Sequence, residues 1–245
     1  MKFGIQMYLF RSKCLTKGQT LKTLEAVGAM GWDCIELLCC DKIPAEKIRK
    51  AVGNCAIVNP MLWYKSFEPK KLENLCRWLK DLGAETAAYS SLPVLHADAD
   101  VYRKFNPVYK QIAETFARHS LTFCHHNHKD EYTLMEGKPG IDILLEGVHP
   151  YCLEIDTFWA KEAGCDPVAL MEERKEHLRY VHLKDKKPGA KKFCALGEGS
   201  MDNMAIVKKA RELGVECVIV DLDNCEGNVF ETAEKSLAWL KRNFG

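Results

Sequence analysis

Short apolar runs of β-type composition recur along the chain. Between them lie longer stretches whose apolar residues return every three to four positions. The runs are FGIQMY (3–8), DCIELL (33–38), CAIVNP (55–60), ETAAYS (85–90), LTFCHH (121–126), YCLEID (151–156), RYVHLK (179–184) and ECVIVD (216–221). Strands alternating with helical patterns argue for βαβ units and a parallel sheet. Residues 17–30 place Leu21, Leu24, Val27 and Met30 on one helical face, with Gly31 behind them. Helices ending at Leu82 and Leu213 are followed in the same way by Gly83 and Gly214. Glycine there accepts the left-handed conformation that closes a helix.

Other boundaries agree with this reading. Asp166-Pro167 forms an N-cap and a first helical residue, and Asn228 with Glu231 resembles a capping box. The last helix puts Val229, Ala233, Leu237, Leu240 and Phe244 along one stripe. GIDILLEGV (140–148) supplies only two turns. Eight strand-like runs in 245 residues, with no Pro/Ser-rich linker, predict one domain over residues 1–245. The predicted class is α/β and the predicted architecture a single (β/α)8 barrel. A doubly wound open sheet is the alternative, but no G-x-G-x-x-G follows the first run.

Composition narrows the function classes. Hydrophobic residues make up 47% of the chain, enough for a sizeable core, and the net charge is +1. That balance provides no single-sign field for nucleic acid or an anionic membrane. No apolar stretch approaches the roughly 18 residues that span a bilayer. The opening MKFGIQMYLFRSK is interrupted by Gln6 and followed by Arg11 and Lys13, which reads as the first strand of a cytoplasmic protein. The 12 cysteines include no C-x-x-C pair. Cys34, Cys124, Cys152 and Cys217 lie inside apolar runs and are expected to be reduced small hydrophobes.

In a parallel barrel the C-terminal strand ends and the loops after them form the site. The runs end at Gln6 and Tyr8, Glu36, Asn59, Tyr89 and Ser90, His126, Asp156, His182 and Asp221. The fifth continues as CHHNHKDEY (124–132). Singly, His182 is as readily a core residue, Asp156 a cap, and Asp221 and Asp223 loop acids. Together, on four consecutive strand ends, they point to a metal site of imidazole and carboxylate ligands. Such a set suits Mn²⁺, Zn²⁺, Co²⁺ or Mg²⁺ with positions open to substrate oxygens.

The same residues resemble a known family. CHHNHKDEY is similar to the YHNHxxEF motif of the sugar phosphate isomerase/epimerase family, the xylose isomerase-like barrels that include inosose dehydratase-like proteins. GIQMYLFRS (4–12), AVGAMGWDCIEL (26–37), LEIDTFWAKEAGCDP (153–167), RYVHLKD (179–185), ALGEGSMD (195–202) and VIVDLDN (218–224) resemble further family motifs in order. The resemblance implies a metal-dependent barrel acting on a sugar, cyclitol or keto-sugar. It makes Asp156, His182 and Asp221 ligands, with Glu131 or His126 as the fifth-strand ligand. Asp221 stands where the family usually has Glu, one methylene longer.

The expected chemistry is loss of a carbon-bound proton beside a carbonyl, through an enediolate, leading to isomerisation, epimerisation or dehydration. His128 and Glu36 are candidates for base and acid, and Lys184 for steadying oxyanion charge. Trp63 and Trp159 are candidates for stacking on a sugar face, and Glu198 for closing a loop over the site. The expected partner is a small sugar or cyclitol, with a homo-oligomer admitted and nucleic acid and membrane excluded. Two other classes compete: a non-catalytic or metal-depleted sugar-binding barrel, and an abasic-site endonuclease-like hydrolase.

Overall fold

Eight parallel strands close into a barrel in the computed structural model, which describes residues 1–89, 92 and 97–245. Ser90, the last residue of the fourth predicted run, lies outside them. The strands are β1 (Lys2–Gln6), β2 (Cys34–Leu38), β3 (Ala56–Leu62), β4 (Thr86–Tyr89), β5 (Thr122–His126), β6 (Tyr151–Asp156), β7 (Leu178–Leu183) and β8 (Cys217–Val220). Each pairs with its sequence neighbours, and β8 closes onto β1 through Lys2↔Cys217 and Ile5↔Val220. All eight sequence runs are therefore strands of one (β/α)8 barrel.

The helices sit between them: α1 (Lys17–Gly28), α2 (Ala45–Val52), α3 (Pro69–Leu82), α4 (Ala99–Arg118), α5 (Gly140–Leu144), α6 (Thr157–Glu162), α7 (Pro167–Glu173), α8 (Asn203–Glu212) and α9 (Val229–Phe244). The expected punctuation is in place. Gly83 closes α3 in the left-handed conformation, and Asp166 Oδ1 accepts from Val168 N and Ala169 N ahead of Pro167. Asn228 Oδ1 accepts from Phe230 N at 2.9 Å. No helix among the described residues is long and apolar enough to cross a membrane.

Side chains alternate across each strand, and this sorts the chain into two cores. Outward residues such as Ile5, Ile35, Phe123, Ile155, Val181 and Val220 pack under the helices. Inward residues form a small floor inside the barrel, with Cys34, Cys124, Cys152, Cys217, Ala88 and Tyr180 among them. The four cysteines are unbridged and serve as compact apolar fillers. Two residues further along the same inward rows come Glu36, His126, Glu154 and His182. One more step gives Asp156, Lys184 and Asp221 at the C-terminal mouth. The inward rows thus run from apolar floor to ionisable mouth.

Three details depart from the sequence pattern. β3 runs two residues past the expected Pro60, because a bulge between the Glu36 and Leu38 pairings absorbs Asn59 at φ +42°. A two-stranded hairpin, Leu134–Met135 with Lys138–Pro139, precedes α5. Its turn residues Glu136 and Gly137 both have positive φ, and two pairs are too few to leave a period. α5 itself has 5 residues rather than two full turns.

Two tests follow from this packing. An added Cβ at Gly28 of α1 would lie 2.6 Å from the Val52 carbonyl oxygen of α2. Gly28→Ala should therefore destabilise the protein by about 1–3 kcal/mol, seen as a lower urea midpoint; an unchanged midpoint would show that the helices separate freely. The second test concerns His125, which faces outward, 2% exposed, with its ring 5.7 Å from Tyr109. Burial, with His126 adding to it, lowers this imidazole from 6.5 to about 3. Above pH 6.5 neither state is protonated. Between 6.5 and 3 only the unfolded chain takes the proton, so stability falls with pH by up to about 1.4 kcal/mol per unit. His125→Phe should flatten that decline in urea melts; an equal slope in both proteins would contradict it.

Candidate metal centre and active site

Four residues from four successive strands converge at the mouth. His126, Asp156, His182 and Asp221 each offer a ligand atom, and these atoms lie within 4.8 Å of one another. All four residues are buried. Register places them: Asp156 pairs with His182, and His126 with Glu154 one inward step below Asp156. Asn127 clamps β5 to β6, its Oδ1 accepting from Asp156 N and its Nδ2 donating to Asp156 O.

The two oxygens of Asp156 do different work. Oδ1 accepts from Trp159 N at 3.0 Å and caps α6. Oδ2 faces the cluster with no hydrogen-bond partner among the described residues. His182 Nδ1 and Asp221 Oδ1 are also buried with no hydrogen-bond partner among the described residues, although His182 Nδ1 lies 3.3 Å from Asp221 Oδ2. Lys184 Nζ lies 3.3 Å from Asp156 Oδ2, close but not aligned as a hydrogen bond. Its ammonium donates to Asp221 Oδ2 and, at 3.0 Å, to Asp223 Oδ1.

A second layer lies beneath. Glu36 Oε2 accepts from His182 Nε2 and from Gln6 Nε2, each at 2.7 Å. Glu154 Oε1 stands 3.2 Å from His182 Nε2 and accepts from Asn59 Nδ2 at 2.9 Å. Glu154 Oε2 pairs with His126 Nδ1 at 3.1 Å.

Charge in this pocket is far from its ordinary state. Burial, then the Glu154 carboxylate, pushes Glu36 well up. Burial also raises Asp156, against the pull of Lys184. Burial works against ionised Asp221, but Lys184 and His182 outweigh it and hold the carboxyl low. Glu154 is likewise held low by His182 and His126 against its burial. Burial opposes a charged His182, yet Glu154 and Glu36 raise it well above the usual imidazole value. Four buried carboxylates thus share one ammonium and two imidazoles. The residues that carry these unpartnered atoms, Asp156, His182 and Asp221, are the ones whose ligand atoms lie within 4.8 Å of one another, together with His126. This donor set fits a divalent cation.

A cavity of about 250 Å³ opens above the cluster, lined by Gln6, Tyr8, Leu38, Met61, Trp63, His126, His128, Asp221 and Asp223. His128 and Trp63 therefore stand at this mouth, Trp63 half exposed. Lys184 stands beside the mouth, buried against Asp221 and Asp223. The structure places other expected residues elsewhere. Glu131 accepts from His128 N at 2.8 Å and lies outside the four-atom cluster. Glu36 sits a layer below, fully buried. Trp159 packs 6.1 Å from the His128 ring, centre to centre. Glu198 turns toward Lys235 of α9 at 3.7 Å. A separate hollow of about 300 Å³ at the opposite barrel end, bordered by Lys2, Arg49 and Glu216, contains none of these groups.

Sequence reasoning missed Glu154 as the partner of both imidazoles, and it placed Gln6 and Asn59 at strand ends without assigning them as donors to Glu36 and Glu154. Glu154 carried a signal: a carboxylate two residues before Asp156 in YCLEID must point the same way into the barrel. Asp185 was also missed as an anchor. Its carboxylate accepts from Lys186 N, Gly197 N, Gly199 N and Met201 N. An added Cβ at Gly199 would lie 2.0 Å from Asp185 Oδ1. The HLKD and LGEG motifs are thereby two halves of one packed loop.

No family model and no curated protein matches the chain. Solved structures do. A sugar phosphate isomerase/epimerase from Parabacteroides distasonis is 21% identical with a TM-score of 0.81, over 98% of this chain and 93% of that one. A probable 3-DHS dehydratase from Bacillus anthracis is 15% identical with a TM-score of 0.74, over 100% of both chains. An AP endonuclease, family 2, from Brucella melitensis is 14% identical with a TM-score of 0.74, over 99% of both. At these identities the likeness establishes the fold alone. The structural neighbours of this chain are sugar phosphate isomerase/epimerase and related xylose isomerase-like barrels.

Proposed function

We propose that the protein is a divalent-metal-dependent isomerase or epimerase, or a dehydratase, acting on a sugar, cyclitol or keto-sugar. One observation carries the reading: His126, Asp156, His182 and Asp221 bring ligand atoms within 4.8 Å of one another beside a small cavity, and Asp156 Oδ2, His182 Nδ1 and Asp221 Oδ1 are buried without a hydrogen bond. Orphaned buried polar atoms are costly, and a shared cation would satisfy all of them. His126, Asp156, His182 and Asp221 would hold Mn²⁺, Zn²⁺, Co²⁺ or Mg²⁺. When bound, such a cation supplies Lewis-acid charge that polarises a carbonyl and acidifies the neighbouring carbon.

The chain's own groups complete the chemistry. Burial, reinforced by His126 and Lys184, lowers His128 to about 3. Its imidazole is neutral at physiological pH and accepts the carbon-bound proton at the cavity wall. The Lys184 ammonium is kept charged by Asp156, Asp221 and Asp223 against its burial. Its positive charge beside the cavity steadies negative charge as it develops on substrate oxygen, and that fixed charge excludes it as a nucleophile. Trp63 offers an aromatic face to the sugar. A cavity of about 250 Å³ sits at the small end of ligand sites, in keeping with a single sugar or cyclitol ring.

Elemental analysis and an activity panel of keto-sugars and inososes with added Mn²⁺, Co²⁺ or Mg²⁺ test the reading. Asp156→Asn, which keeps an oxygen for the α6 cap, and His182→Ala should fold and bind metal more than about 100-fold more weakly. Metal content equal to wild type in both would refute the ligand set. His128→Asn should retain metal and lose about 10²–10⁴ in kcat; full activity would remove it as the base.

A further inference from the structure

Beneath the four ligands, Glu36, Glu154 and His182 also lie close enough to hold a cation. Their surroundings argue against that use. Every carboxylate oxygen of the pair already meets an N–H donor. Glu36 Oε2 takes Gln6 and His182, and Glu36 Oε1 takes Asn59 at 3.3 Å. Glu154 Oε1 takes Asn59 and lies beside His182, and its Oε2 takes His126. Donors on all sides mark a site built to accept protons in hydrogen bonds, leaving no face for a metal.

The roles within this layer are unequal. His182 Nε2 has two carboxylates, Glu36 at 2.7 Å and Glu154 at 3.2 Å. His126 Nδ1 has one, Glu154 Oε2. An acceptor-only carboxylate at this position requires the His126 proton on Nδ1. Nε2 is then the lone-pair nitrogen, and the ring, 4.7 Å from that of His182, lines the cavity. An imidazole protonated on Nε2 could not bind a cation there.

We infer that Glu154 is a positioning residue that selects the Nδ1–H tautomer of His126 and so makes its Nε2 a ligand. The inference rests on the metal-site reading for its purpose, but the tautomer itself is a property of the metal-free protein. Glutamine at 154 tests it sharply. Its single oxygen is claimed by Asn59 Nδ2 and His182 Nε2, which leaves the amide NH₂ facing His126. The amide then donates to Nδ1, and the His126 proton moves to Nε2.

Long-range ¹⁵N–¹H NMR of histidine-labelled apoprotein reads the proton position directly. Wild-type protein should show His126 protonated on Nδ1, and Glu154→Gln should show it on Nε2. Glu154→Asp, which keeps an acceptor-only group, should retain the wild-type tautomer. A wild-type His126 protonated on Nε2 overturns the inference without recourse to any variant, and so does a Gln variant that keeps Nδ1–H. Co²⁺ titration, followed by the ligand-field absorption of the bound ion, supplies the second readout. Affinity should fall about 10–100-fold in Glu154→Gln, with a changed spectrum, and recover in Glu154→Asp. The predicted tautomers together with a wild type that binds no Co²⁺ would uphold the positioning role and refute the metal reading instead.

Discussion

Compensation of buried negative charge governs this barrel end. Glu36, Glu154, Asp156 and Asp221 are all within the barrel, none more than 5% exposed. Removing a carboxylate from water costs several kcal/mol even after relaxation, so four together demand proton uptake, toward which Glu36 and Asp156 are shifted, or organised positive partners. Lys184 supplies one ammonium, held by three aspartates. His182 supplies an imidazole N–H, held between Glu36 and Glu154, which leaves Nδ1 as its lone-pair nitrogen. What remains uncompensated is concentrated at one place, between Asp156, Asp221 and the two imidazoles. The deficit is local, and a divalent cation is the smallest group that answers it.

The fold divides this work by depth. The floor is apolar and small, filled by four cysteines with Val58, Met61, Ala88, Ile219 and one tyrosine whose hydroxyl meets Thr86. The middle layer is a closed network of N–H donors and carboxylates. The mouth is where oxygens and nitrogens are left over. Support comes from residues outside the cavity lining: Asn127 fixes the Asp156 backbone, Thr157 Oγ1 donates to the His182 carbonyl at 2.9 Å, and Asn203 Nδ2 donates to the Lys184 carbonyl at 3.0 Å. Second-layer contacts of this kind set ligand orientation as much as the ligands themselves do.

Much of this was legible in the sequence. The eight runs, their alternation with helices and the glycine-closed αβ junctions indicate a barrel, because strand and helix periods differ and eight repeats leave room for little else. The convergence of His126, Asp156, His182 and Asp221 was readable because position at a strand's C-terminal end is itself a spatial statement in this fold. The direction of a loop residue is not. Glu131, in a 3-10 turn after β5, and Glu198, between two glycines, both lie where backbone conformation rather than strand period decides the side chain's aim. Asn59 stands at a strand end in the sequence, but its role as a donor to Glu36 and Glu154 was not readable, since the β3 bulge inserts one residue and breaks the parity that marks an inward row. Glu154 was the avoidable omission: parity with Asp156 already pointed it inward.

The central claim is that one divalent cation occupies the point shared by four strand ends. Anomalous diffraction from crystals equilibrated with Co²⁺ or Mn²⁺ tests it most directly. The account predicts a single strong peak within bonding distance of His126 Nε2, Asp156 Oδ2, His182 Nδ1 and an oxygen of Asp221. A peak between Glu36 and Glu154 instead, or no peak with the Lys184 ammonium still seated among the aspartates, would contradict it.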